Sequence, residues 1–251
     1  MIKFFRHIRK SQLMENKTGK YVKYAIGEIV LVVIGILIAL QVNNLNEQRK
    51  FNSLKNVYIE RLIEDLKQDT LQANRLLDTL ANKQIIIKTV VKNTDTKTSQ
   101  ELLIASLEDY FKSGWNMNEF TANMNTYTDL SQMGNMNVFR NTELTESIQQ
   151  YYVLIENNEK GHILNKDWVT PIDVILAQKT SAFEFDPMTK ELFQKSKQSE
   201  ALTNILSNKE LFTRNAAGHF WFNKSLIGAI KTIKINADKL IKTLQLELEK
   251  R

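Results

Sequence analysis

The sequence predicts an all-α protein, with a single N-terminal transmembrane helix continuing into an elongated antiparallel helical bundle. Three observations carry this. The stretch Tyr24–Val42 (YAIGEIVLVVIGILIALQV) is apolar over about 19 residues, and at about 1.5 Å per residue it covers a hydrocarbon core of about 30 Å. Gly and Pro number only 8 and 2, too few for a turn-rich β-sandwich or barrel. Beyond the span, apolar residues recur every three to four positions, the period of a helix with one buried face. The chain divides accordingly into a basic cytoplasmic tail (1–23), the membrane helix (24–42) and an extracytoplasmic helical domain (43–251).

The net charge of +6 resembles a nucleic-acid signal until it is located. Residues 1–24 hold Lys3, Arg6, Arg9, Lys10, Lys17, Lys20 and Lys23 against Glu15 alone, so the large domain is nearly neutral. The basicity belongs to the membrane flank, and no nucleic-acid partner is expected. With no Cys, a disulfide framework and a thiolate metal site are both excluded.

Only Arg49, Lys50 and Lys55 follow the span closely. The positive-inside rule then places the N-terminus in the cytoplasm and the C-terminal domain in the periplasm, as a single-pass inner-membrane protein. A cleaved signal peptide would need small residues at its cleavage site, and bulky Ile36, Leu37, Ile38 and Leu40 surround Ala39, which favours an uncleaved anchor. Residues 1–14 set Ile2, Phe5, Ile8 and Leu13 against Lys3, Arg6, Arg9 and Lys10. Two readings stand there: an interfacial amphipathic segment held by membrane lipid, or a plain topogenic tail.

Glu28 interrupts the apolar block. At about 100° per residue, Glu28, Gly35 and Ala39 fall within about 20° of one line. Gly35 and Ala39 form a small-xxx-small pair that permits close helix approach. One reading makes this face a membrane-helix interface with Glu28 protonated or paired within it. The other keeps Glu28 near the cytoplasmic boundary, reaching the interface or pairing with Lys20 or Lys23.

From Asn43 to Lys92 a long helix carries one narrow seam: Ile59, Ile63, Leu66, Thr70, Ala73, Leu77, Leu80, Gln84, Ile87 and Val91. It is expected to continue the membrane helix without a break and to enter a bundle, a free parallel coiled coil being the alternative. Glu60, Glu64 and Asp65 read as a solvated face. Asn93–Lys97 breaks the helix, and Thr98 with Glu101 has capping-box spacing. A second helix turns Leu102, Leu103, Leu107, Tyr110 and Phe111 inward and ends at Gly114. An Asn-rich connection, a short helix over Thr126–Met133 and a stop at Gly134 follow. Asn141 caps the next helix, with Leu144, Ile148, Tyr151, Tyr152, Ile155 and Ile163 as its apolar set, and Pro171 is expected to kink or restart it. Phe183–Glu191 reads as a loop. A capping box at Ser207 and Glu210 opens a final helix from Asn208, bearing Leu211, Phe220, Leu226, Ile230, Ile233, Ala237, Leu240 and Leu244. Its length matches the first helix, so the two are expected to pair antiparallel in a mainly four-helix bundle.

No phosphate loop, metalloprotease motif, nucleophile elbow or calcium loop occurs. Glu159 and His162 form one Glu-x-x-His pair, and a di-metal bundle needs two. No catalytic residue, cofactor or metal is therefore expected, and the chain reads as a non-enzyme. Trp115, Trp168, His219 and Trp221 are the candidates for a ligand pocket or a partner surface, weighed against ordinary core packing. Trp221 and Phe222 cannot both face inward with Phe220, which leaves one exposed or covered by a partner.

The block Lys20–Asn46 (KYVKYAIGEIVLVVIGILIALQVNNLN), after MIKFFRHIR, resembles the opening of an uncharacterised family of single-span bacterial membrane proteins, a domain of unknown function. Tyr58-Ile-Glu-Arg-Leu, Asp129-Leu-Ser-Gln-Met-Gly134 and Ile148-Gln-Gln-Tyr-Tyr152 are similar to it too. The resemblance is strongest in the N-terminal block and fades beyond Asn165. Leu45 stands where members carry Trp, which removes an interfacial aromatic anchor. The resemblance implies an anchor and a helical domain, and brings no activity or site residue.

Two functions from different classes follow. The first is a membrane-anchored envelope protein whose bundle binds another envelope protein or associates with itself. The second is a ligand-sensing helical domain that signals through a membrane partner.

Overall fold

The computed structural model describes residues 18–132, 134–193 and 198–250. Among them there is no strand, and six α-helices are joined by short 3-10 and π turns. The chain forms two compact units, Met1–Asn56 and Val57–Arg251. One helix, α1 (Thr18–Asp95), runs through the boundary unbroken, as its freedom from Gly and Pro after Gly35 requires. Residues 1–14, and with them the amphipathic segment, lie outside the described residues.

In the first unit the apolar side chains of α1 are exposed on all sides, Val30, Leu31, Ile34, Leu37 and Ile38 among them. Its most apolar stretch has a mean hydropathy of 2.6 with none of it buried, long and apolar enough to cross a membrane. A helix apolar all round has no polar face to give to water, a pattern compatible with a single membrane-crossing helix.

The second unit is a bundle of four antiparallel layers. The first layer is α1 from Val57 to Asp95. The second descends through α2 (Gln100–Asp109), a π turn (Tyr110–Gly114), an extended connector and α3 (Asn125–Gln132). The third is α4 (Thr142–Lys179), and the fourth is α6 (Lys209–Glu249), with α5 (Gln198–Ser207) packed at one end. The register is fixed by polar pairs: Asp95 with Lys209 and Gln84 with the Phe220 carbonyl between α1 and α6, and Asn165 with Ser225 between α4 and α6.

The buried stripe of α1 is wider than one seam. Ile59, Ile63, Leu66, Ala73, Leu80 and Ile87 are buried, as their spacing predicts, and Leu62, Leu76 and Val90 join them. Contact with two flanking layers needs this wider stripe, whereas a coiled-coil seam does not. Asp65 belongs to it, correcting its reading as a solvated residue: its carboxylate accepts the Thr126 backbone N–H at 3.1 Å and so anchors α3.

Several local expectations are corrected. The cap of α2 is Ser99, whose hydroxyl accepts from the Leu102 N–H, while Thr98 pairs with Thr96. Leu102 is exposed, since Leu103 and Leu107 already fill the face toward α1, and Ile163 is exposed on α4. No Ser207 cap forms; Ser207 ends α5 by donating to the Thr203 carbonyl, and Asn208 precedes α6. Helix α4 runs through Pro171 without restarting. The carbonyl deprived of its donor is that of Asp167, an exposed residue, so the lost bond falls on the solvent side of the helix. Asn141 does cap α4, accepting from the Leu144 N–H at 3.2 Å.

Two glycines occupy positions that disfavour a side chain. A Cβ on Gly114 would stand 2.6 Å from a Tyr110 ring carbon, and Gly134 holds φ +65° in the turn after α3. The Tyr110 ring must sit there because it opens an aromatic core: it meets Phe111 and Phe212 edge to face at 5.2 Å, and Phe185 from the Asp-Pro loop stacks on Phe111.

Candidate functional site

The four aromatic and histidine candidates do not converge. Trp168 and Trp221 come together edge to face at 4.9 Å across α4 and α6, and both remain open to solvent, 69% and 42% exposed. Trp115 lies elsewhere, against Phe111 at 5.0 Å, at the margin of the aromatic core. Phe222 takes the inward position next to Trp221. The span residues are Glu28, which is partly buried and takes part in a polar interaction, and Gly35 and Ala39 on the exposed helix surface; no heavy atom lies within 4 Å of a Cβ built on Gly35.

His219 is fully buried in a polar chain. The Tyr110 hydroxyl donates to Asn215 Oδ1 at 2.5 Å, Asn215 Nδ2 donates to Asp173 Oδ1 at 2.6 Å, and His219 Nε2 lies 2.6 Å from the same oxygen. One carboxylate oxygen thus serves two side chains of α6, with the π turn tied in behind them. Burial, and then the Asp173 charge, push the Tyr110 hydroxyl well above its ordinary pKa, so it stays a donor. His219 Nδ1, the Asn223 amide, Gln84 Oε1 and Asn118 Oδ1 are also buried and have no hydrogen-bond partner among the described residues. Groups of this kind are ordinarily satisfied by internal water.

A second network lies between α1, the connector and α4. Asp69 accepts the Asn123 N–H at 2.7 Å and the Tyr151 hydroxyl at 2.9 Å. Burial raises its pKa, against the two hydrogen bonds that favour the charged form. Lys83, also buried, donates to the Asn116 carbonyl at 2.7 Å, and desolvation lowers its pKa to about 8.

A concavity combining an apolar floor with polar groups lies between the connector, α4 and α6, with a volume near 370 Å³. Phe120, Ile155, Phe222, Leu226 and Ile230 line it, and Glu119, Glu159 and His162 stand among its polar residues. The His162 ring packs 5.0 Å from Phe222. Burial lowers the His162 pKa, opposed by Glu119 and reinforced by Lys166, which favours the neutral ring. Among the described residues, no three His, Asp or Glu gather in a way that would hold a metal ion.

The sequence contained a signal for the buried network that its apolar periodicity obscured. Asn215, His219 and Asn223 recur at intervals of four on the apolar face of α6, between Phe212 and Leu226. Asp65 and Asp69 interrupt the buried stripe of α1 in the same way. Polar residues in the middle of an apolar stripe imply internal partners, since each would otherwise be buried unpaired. The groove had no such sequence signal, because it is built from three segments distant in the chain.

No curated protein and no solved structure matches this chain. A protein-family match extends over residues 28–170, from the span through most of α4, and leaves Asp173 and all of α6 outside it. Since that match covers more than half of the sequence, the chain belongs to a family of unknown function, DUF6090.

Proposed function

We propose that this is a membrane-anchored, non-enzymatic bacterial envelope protein whose helical bundle binds a second envelope protein. The carrying observation is the Trp168–Trp221 pair, edge to face and exposed on α4 and α6. Leu164 and Ile175 continue the patch along α4 at helical spacing, 70% and 41% exposed. Exposed tryptophans that pack on each other offer a large, rigid apolar area, the side-chain type enriched at the energetic centres of interfaces. In this reading the basic flank holds the N-terminus in the cytoplasm and the bundle lies in the periplasm. The buried networks are structural: every hydrogen bond among Tyr110, Asn215, Asp173 and His219 is internal to the fold.

The test is a photo-crosslinking amino acid placed at Trp168 in the full chain, in living cells, followed by mass spectrometry. A recurrent envelope protein, lost when Trp221 is changed to Ala, supports the proposal. Products no different from those of a crosslinker at exposed Lys224, on the same helix as Trp221, would overturn it. The ligand-sensing alternative draws its support from the groove beside His162, where an apolar floor and polar groups meet.

A further inference from the structure

We propose that the groove between the connector, α4 and α6 binds a small amphipathic amine, with its apolar body on the floor and its ammonium group at the carboxylates of the mouth. The inference holds whether or not the tryptophan face binds a protein, because it rests on different residues.

The volume near 370 Å³ lies toward the small end of the range for small-molecule sites. The floor is formed by Ile155, Phe222 and Ile230, each almost wholly buried, with Phe120 from the connector. Gly161 leaves the space open. It lies in the middle of α4 and lines the groove, and a Cβ added to it would meet no heavy atom within 4 Å. Glycine in a helix interior costs about 1 kcal/mol relative to alanine. Here that weak helix former sits where a side chain would project into the concavity.

Charge selects the ligand class. Glu119 and Glu159 line the groove and are exposed at its edge, and no Lys or Arg lines it. Lys166 lies close enough to act on the His162 ring but is not part of the lining. Several neutral polar groups are already engaged, since Asn165 donates to Ser225 and Asn158 to the Leu154 carbonyl. The carboxylates therefore dominate recognition. An ammonium group brings three donors to acceptors of opposite charge, whereas a carboxylate ligand would meet two like charges beside a low-dielectric wall. The aromatic rings of Phe120 and Phe222 suit a flat or short-chain apolar body.

The experiment uses the full chain in lipid nanodiscs, with empty nanodiscs subtracted. Three amines are titrated by calorimetry: 4-phenylbutylamine, tryptamine and octylamine. Each is paired with a carboxylate of similar body: 4-phenylbutyrate, indole-3-propionate and nonanoate. The expected result is saturable binding of at least one amine, at least tenfold tighter than its carboxylate partner. Hydrogen exchange should then slow in residues 155–165 and 222–233. Gly161→Leu fills the groove with a better helix former, so it should melt no lower than the wild type and lose at least tenfold in amine affinity. Glu119→Gln, at an exposed position, should lose a similar factor with the fold intact. If no amine binds, if amine and carboxylate bind equally, or if both variants bind like the wild type, the proposal is wrong. None of these outcomes bears on crosslinking at Trp168, so the two proposals fail separately.

Discussion

Asp69 on α1 accepts the phenolic hydroxyl of Tyr151 on α4 at 2.9 Å, while its other oxygen takes the Asn123 backbone N–H. One buried carboxylate therefore ties the first and third layers to the connector between them. The connector has no regular helix over most of its length, so its backbone donors need side-chain acceptors of this kind. Asp69→Ala strands two donors and leaves a gap, and should cost about 3 kcal/mol, whereas Tyr151→Phe leaves one oxygen of Asp69 short of a donor while the Asn123 N–H bond stays, and should cost about 1–2 kcal/mol. Denaturant titration of the two variants checks the order, and equal losses would refute the account.

Lys83 makes stability depend on pH. Its pKa falls from 10.5 to about 8 in the folded chain because burial penalises the ammonium form. Below about 8 both folded and unfolded chains are protonated there, and the fold carries the full penalty. Between about 8 and 10.5 the unfolded chain binds the extra proton, so stability rises with pH. Relative to Lys83→Met, the wild type should gain about 2 kcal/mol between pH 7.5 and 10. Parallel stability curves for the two chains would disprove this.

Asp173→Ala should be among the most damaging substitutions in the bundle. It removes the acceptor shared by Asn215 and His219, both buried on α6, and should cost about 3–4 kcal/mol. His219→Phe in the Asp173→Ala background should restore part of the loss, because an apolar ring no longer needs a partner. Thermal melting by circular dichroism measures both, and a double variant worse than the sum of the singles would contradict the network.

The tryptophans should separate by role. Trp168→Ala and Trp221→Ala each lose the edge-to-face contact between the two rings and should cost only about 1 kcal/mol, while reducing partner crosslinking. Trp115→Ala removes a ring packed on Phe111 and should cost about 2 kcal/mol, with crosslinking unchanged.

In the span, the proposed interface face carries Glu28, Gly35 and Ala39. Gly35→Leu should weaken lateral association of the full chain in a bilayer, since a branched side chain keeps backbones apart. Glu28→Gln should weaken it less, because the amide still hydrogen bonds. Energy transfer between labelled chains reads both, and unchanged transfer in Gly35→Leu would remove Gly35 and Ala39 from any interface.

The sequence alone determined the all-α class, the apolar span and most of the helices. It located the stop at Gly134 and the Asn141 cap, because each of these depends on residues adjacent in the chain. Even the unbroken passage of α1 from span to bundle was legible, since nothing between Gly35 and Asp95 breaks a helix. The tertiary structure decided what depends on neighbours distant in sequence. Apolar spacing treats Leu102 and Leu103 alike, yet only Leu103 is buried, and Asp65 shares a polar run with Glu64 yet only Asp65 meets Thr126. The separation of Trp115 from Trp168 and Trp221, the Asp173 hub and the groove beside Gly161 are all of this kind. Periodicity tells which face of a helix is apolar; which layer covers that face, and where the cover leaves a gap, is set only when the layers pack.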